Sequence, residues 1–239
     1  MIIATNPRGQ RVYFDEKTHR YFHGDLELTS VTRFIRGFFP EFDKVNVALT
    51  YAKKHGKSVN EVLAAWDAKG EYASDLGHTI HAYAQALVLG STPPKVKDEW
   101  IPFCASVDKA LAKMTQKFEF IEPEKLVFSV ELGLAGTIDL LVRDKENGDV
   151  VIIDWKTNEK VEFVSKWGSA LKPIGHLDDA NGNEYRLQVN TYRKILLHEN
   201  YYLDASNFRM ALIHLKPDGP VFYPIDIMTD EINSMLRWL

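Results

Sequence analysis

The chain has 239 residues, 45% of them apolar and 26% charged, the proportions of an ordinary globular protein with enough length for a full core. A net charge of −4 excludes a passive, sequence-blind nucleic-acid coat, which is basic, but not an enzyme whose acidic site offsets local basic patches. The single cysteine, Cys104, excludes an internal disulfide and a four-cysteine zinc or iron–sulfur site within the chain.

Residues 11–29 alternate in polarity around His23-Gly24-Asp25 and predict a β-hairpin. Ser30 or Thr29 then caps a short helix from Val31 to Gly37, closed by Gly37 and Pro40. Within it Arg33 and Arg36 stand one turn apart beside Phe34, Phe38 and Phe39. That mixture suits phosphates and stacked bases, and equally an amphipathic helix that buries its aromatics. Helical patterns follow at 43–55, 58–68 and 72–89, the last stopping at Gly90 and Pro93-Pro94, and another runs over 98–117. Three strands come next, at 126–132, 137–143 and 150–155, with Asn147-Gly148 as a hairpin turn between the last two. A helix over 184–199, strands at 208–215 and 221–227, and a closing helix over 230–239 complete the chain. The pattern predicts one α/β (α+β) domain over 1–239, a central mixed sheet flanked by helices. Residues 1–70 form an N-terminal hairpin and helical elaboration, 71–227 the core, and 228–239 a C-terminal helix. The core order is helix, three antiparallel strands, helix, strand.

Chemistry concentrates on the two middle strands. Alternation puts Thr137, Asp139 and Leu141 on one face, and Val150, Ile152, Asp154 and Lys156 on one face of the neighbour. If these faces coincide, Asp139 and Asp154 converge where the strands splay. Charged groups seldom sit in such apolar strands unless paired or bound to a metal. Two carboxylates with a backbone carbonyl suit an oxygen-preferring Mg²⁺ or Mn²⁺, which would acidify a water and stabilise charge on a phosphoryl oxygen. Lys156 then orients the water or stabilises the transition state. A buried Asp–Lys ion pair that only fixes register is the plain alternative; Gly136-Thr137-Ile138-Asp139 on the adjacent strand favours the metal site.

These residues resemble the PD-(D/E)XK nuclease superfamily, and within it the RecB-like exonuclease branch. The branch's first acid follows Gly-X-X-Asp, here Gly136 to Asp139, and its second acid and lysine come as Asp-X-Lys-Thr, here Asp154-Trp155-Lys156-Thr157. Upstream Gly77-His78-Thr79-Ile80-His81 matches Gly-X-X-X-His, and downstream Gln188-Val189-Asn190-Thr191-Tyr192 matches Gln-X-X-X-Tyr. The segments His19-Arg20-Tyr21, Ser30-Val31-Thr32 and His176-Leu177-Asp178-Asp179 are similar to small stand-alone members, phage nucleases and mitochondrial genome maintenance exonucleases among them. Individually weak, four motifs in this order and context are strong.

The resemblance implies a restriction-endonuclease-like core and a metal-dependent DNA exonuclease of replication, recombination or repair. Asp139, Asp154, Lys156 and Gln188 are the catalytic residues it implies, and His81, Asp139, Asp154 and the Trp155 carbonyl the metal ligands. Glu131 and Tyr192 are candidates just outside that shell, and His78 is structural. Ser30, Thr32, Arg33, Arg36 and Thr157 are candidate DNA contacts. The expected cofactor is Mg²⁺ or Mn²⁺, with no iron–sulfur cluster and no ATP, since no Walker-type loop is present. Partners implied are DNA with ends or single strands, and a helicase, single-strand-binding or recombination protein. No apolar run reaches membrane-spanning length and the first residues lack a signal-peptide pattern, so no membrane is expected; the expected setting is the cytoplasm of a bacterial or phage-infected cell. A flap or junction endonuclease and a non-catalytic DNA-binding subunit on the same fold are the competing readings.

Overall fold

The structure, a computed structural model, describes residues 2–238. The central meander is the expected one. Helix α4 (Ile101–Lys117) leads without a loop into β5 (Phe118–Ser129), followed by β6 (Leu134–Asp144) and β7 (Val150–Lys156), all antiparallel. Helix α5 (Asn181–His198) crosses over and returns the chain as β8 (Phe208–Lys216), parallel to β7, with β9 (Gly219–Ile225) antiparallel at the edge. This mixed sheet with helices on both faces is the restriction-endonuclease-like arrangement. Helix α6 (Thr229–Leu236) packs on α5.

Two buried clusters sandwich the sheet. On one face Leu141, Ile152, Leu212, Leu187 and Ile195 pack under α5; on the other Leu140, Ile153, Trp155, Leu76, Ile80 and Val107 pack under α3 (Val59–Val88) and α4. Alternating partition of Leu140 from Leu141, and of Ile152 from Ile153, is what the period-2 pattern demands.

Several boundaries differ from the sequence reading. The N-terminal hairpin is a four-strand meander, β1 (Ile2–Thr5), β2 (Arg11–Asp15), β3 (Arg20–His23) and β4 (Leu26–Ser30), because a second turn at residues 16–19 interrupts the alternation. The helices expected at 58–68 and 72–89 are one helix, α3. Its capping box, Ser58 with Glu61, starts it well, and Gly70, exposed with open space around it, costs about 1 kcal/mol without ending it. The first core strand begins at Phe118 rather than Leu126, and a positive φ of 49° at Glu124 hides the regular pattern there. Helix α1 (Val31–Arg36) is capped by Ser30, which accepts from Arg33 N–H, and Phe34, Phe38 and Phe39 are buried, so they are core rather than base platforms. Helix α2 (Lys44–His55) packs on the outer turns of α3 through Ala48, Ala52 and Val62. No described helix is long and apolar enough to cross a membrane.

The N-terminal meander is tied to the core by a buried acid. Glu199, 0% exposed, accepts from Asn6 Nδ2 at 3.0 Å and Ser129 Oγ at 2.5 Å, and meets Arg8 Nε at 3.3 Å. Glu199→Ala removes the buried acceptor of the Ser129 hydroxyl and one acceptor of Asn6, and we expect it to cost about 1–3 kcal/mol in urea unfolding. A loss under 1 kcal/mol would mean that water replaces the carboxylate.

Candidate active site

The site forms where β6 changes partner. Its C-terminal half pairs with β7 as far as Leu140 and Ile153, while its first residues, Leu134 and Ala135, pair with Thr29 and Ser30 of β4. Between them, residues 136–139 lie in a fork with no strand bonded on that side. Asp139 closes the fork with its side chain: Oδ2 accepts the Trp155 N–H at 2.7 Å. Its other oxygen faces His81 Nδ1 at 3.5 Å, and His81 Nε2 lies 3.2 Å from the Trp155 carbonyl. Strict alternation does not hold here. Leu141 packs under α5, whereas the Asp139 carboxylate reaches His81 on α3.

The glycines of the His81 and Asp139 motifs lie at contacts between elements. An added Cβ at Gly77 would touch Thr157 Oγ1 at 3.5 Å, so α3 lies against the end of β7 and carries His81 to the fork. At Gly136 a Cβ would sit 2.8 Å from the Tyr192 ring. Tyr192, buried on α5, occupies that space and approaches Gln188 Nε2 with its hydroxyl at 3.4 Å.

Asp154 and Lys156 face α5. Lys156 Nζ meets Asp154 Oδ2 at 2.7 Å, donates to Gln188 Oε1 at 3.2 Å and lies 4.4 Å from the centre of the Tyr185 ring. Burial alone would lower the lysine's pKa, but the Asp154 and Asp139 charges outweigh it and keep the ammonium protonated. Asp154 is pushed up by burial, against the pull of Lys156, with Asp139 adding repulsion. For Asp139, burial is outweighed by the charge and hydrogen bond of His81, and its pKa falls. Burial lowers His81, yet Asp139 raises it to about 9.

Sequence reasoning missed Glu124. The ladder pairs Pro123 with Leu140 and Lys125 with Ile138, which sets Glu124 opposite Asp139. Like charges directly across a ladder repel. Burial and then Asp139 push Glu124 up to about 7. Ligand atoms of His81, Glu124 and Asp139 lie within 4.8 Å of one another. A signal was available in the spacing back from Asp139, but only once β5 was known to start early.

The other expected residues separate. Thr32 and Arg36 line a cavity of about 310 Å³ with Lys156, Glu184, Tyr185 and Gln188. Arg33 lines a different one, beside Gly37 and Lys172. Ser30 is used as a helix cap. Thr157 lines a third cavity, of about 730 Å³, with Lys69 and Lys160. Exposed His78 borders a cavity of about 340 Å³ with His81 and Glu124. Glu131 is no part of the site: 65% exposed at its side chain, it pairs with Arg8 and His198.

The donor set fits a divalent cation. Asp154 Oδ2 is buried and, despite the nearby ammonium, makes no well-directed hydrogen bond, and the carboxylates of Glu124 and Asp139 oppose each other across the ladder. Oxygen donors with one imidazole accommodate Mg²⁺ or Mn²⁺.

A family model described as PD-(D/E)XK nuclease superfamily matches residues 49–239. Among solved structures, one described as "Crystal structure of SSO0001" is similar at 14% identity and a TM-score of 0.30, over 87% of this chain and 71% of that one. A comparison with curated proteins found no match.

Two outcomes are expected. Gly136→Ala should lose about 1–3 kcal/mol in denaturant unfolding, because Tyr192 has to move, and an unchanged midpoint would show the ring to be free. Glu124→Gln should weaken calorimetric Mn²⁺ binding about tenfold or more while leaving the melting temperature near wild type; unaltered affinity would remove Glu124 from the ligand set.

Proposed function

The chain belongs to the PD-(D/E)XK nuclease superfamily, and on that footing we propose that it is a Mg²⁺- or Mn²⁺-dependent deoxyribonuclease that hydrolyses phosphodiester bonds from DNA ends. The observation that carries this reading is the fork at Asp139. It draws His81 and Glu124 to Asp139, while Asp154, Lys156 and Gln188 converge beside it, near enough for the Asp139 charge to act on both Asp154 and Lys156.

His81, Asp139, Asp154 and the Trp155 carbonyl would hold the cation, with Glu124 beside them. When bound, a divalent cation supplies Lewis-acid stabilisation of charge developing on the phosphoryl group. The chain's own residues do the rest. Lys156, kept protonated and aimed by Asp154 and Gln188, offers a fixed positive charge to the phosphoryl oxygens. Gln188 orients the ammonium from α5 and is itself held by Tyr192. Arg36 and Thr32, on the rim of the same cavity, are placed to take a neighbouring phosphate.

End-directed action rests on the likeness of the four motifs to the RecB-like branch. End-labelled linear DNA and a closed single-stranded circle test it together. With Mg²⁺ or Mn²⁺, wild type should release nucleotides from the linear strand and leave the circle intact, and EDTA should abolish release. Lys156→Ala should lower the rate by a factor of 10² or more while preserving Mn²⁺ binding. Cutting of the circle would replace the exonuclease with an endonuclease. No release with either metal would sink the enzymatic reading, and unfolding of Lys156→Ala beside an active Asp154→Asn would favour a purely structural ion pair.

A further inference from the structure

Between β7 and α5 the chain runs from residue 157 to 180 without a helix or a strand beyond the single bridge Ser169–Asp178. Irregular segments of this length in compact domains are commonly functional. This one is held firmly. Ala170 N–H donates to Leu177, Asp179 N–H to Gly168 at 2.9 Å, and Leu171 N–H to Phe38 at 2.8 Å. Asp178 accepts from Ser165 N–H, and Asn183 of α5 donates to both Phe163 and Asp178 carbonyls.

At the tip of this fixed backbone stands Trp167, 95% exposed. The Ser165 hydroxyl accepts its N–H at 3.1 Å, setting the direction in which the side chain leaves the loop. Lys166 beside it is exposed, and Val164 is too. A tryptophan that faces water gives nothing to the fold and forgoes the burial that favours so large an apolar ring. The loop's anchors lead back to the cavity at Lys156. Gly168 accepts from Asp179 N–H, and Asn181, two residues further on, lines that cavity with Arg36, Lys156 and Gln188.

We infer that Trp167 is a stacking platform for an unpaired base of the DNA strand whose backbone enters the cavity of Arg36 and Lys156. The inference rests on the nuclease reading. The chemistry is that of single-strand recognition, in which a pre-oriented aromatic face takes a base of any identity and adjacent cations take the phosphates. Rigidity of the loop reduces the ordering cost of that contact. A platform of this kind grips unpaired bases in preference to those stacked within a duplex.

The test is binding of a fluorescein-labelled single-stranded oligonucleotide by anisotropy, in EDTA, to wild type, Trp167→Ala and Trp167→Phe, with a series of oligonucleotides carrying one abasic residue at successive positions. Trp167→Ala should weaken binding about tenfold and Trp167→Phe far less, the order of one base–aromatic stack. One abasic position should cost wild type a similar factor and add nothing in Trp167→Ala. Melting temperatures should be unchanged, because the ring packs on nothing. Equal affinity of wild type and Trp167→Ala, or an abasic penalty that persists in the variant, would overturn the stacking role while metal-dependent cleavage still upheld the nuclease. If wild type neither binds nor cleaves DNA, both readings fall.

Discussion

One hydrogen bond closes the centre of this molecule: the Asp139 carboxylate accepting the Trp155 N–H across the gap where β6 leaves β7 and turns to β4. A strand that changes partner exposes backbone groups that must be satisfied. Here a side chain does it, and the side chain is ionised. Its charge then organises its surroundings, drawing His81 in from α3, opposing Glu124 on β5 and favouring the ammonium of Lys156. The sheet's topological irregularity and the concentration of charge are therefore one fact. A continuous ladder would have spent the same positions on cross-strand pairs.

The helices reach this point through two close approaches of opposite kind. At Gly77 α3 comes within ordinary contact of Thr157 at the end of β7, and at Gly136 an aromatic ring from α5 presses on β6 so closely that a Cβ has no room. Each motif glycine thus records a contact with a second motif: Gly77 with the threonine after Lys156, Gly136 with the tyrosine after Gln188. The four short motifs are coupled by packing, which is why they carry meaning together and little singly.

Much of this was legible in the sequence. The order helix, three strands, helix, strand follows from periodicity and from Asn147-Gly148, and Asp139, Asp154 and Lys156 stand out as charges in apolar strands. What escaped was set by tertiary geometry. Glu124 lies in a stretch with a positive φ and a bulge nearby, so its facing of Asp139 depends on a register that local pattern does not carry. Glu131, expected just outside the ligand shell, pairs instead with Arg8 and His198, which come from distant parts of the chain. Arg33 and Arg36, one turn apart, open onto different cavities because Arg36 shares its helix row with Thr32 and Arg33 shares its own with Gly37. The continuity of α3 was hidden by Gly70, whose modest penalty is absorbed by the turns on either side.

That continuity has a mechanical side. At 1.5 Å per residue α3 is a rod about 45 Å long. Leu76, Ile80 and Ala84 clamp its inner half in the core, while its outer turns carry α2 through a small satellite of apolar contacts and one exposed ion pair, Lys69 with Glu159. His81 sits inside the clamp, close to the fulcrum. A beam held this way swings most at its free tip and least at its root, so a load on α2 is felt at His81 as a small fraction of the displacement. Displacement of the outer arm is damped before it reaches the histidine beside Asp139.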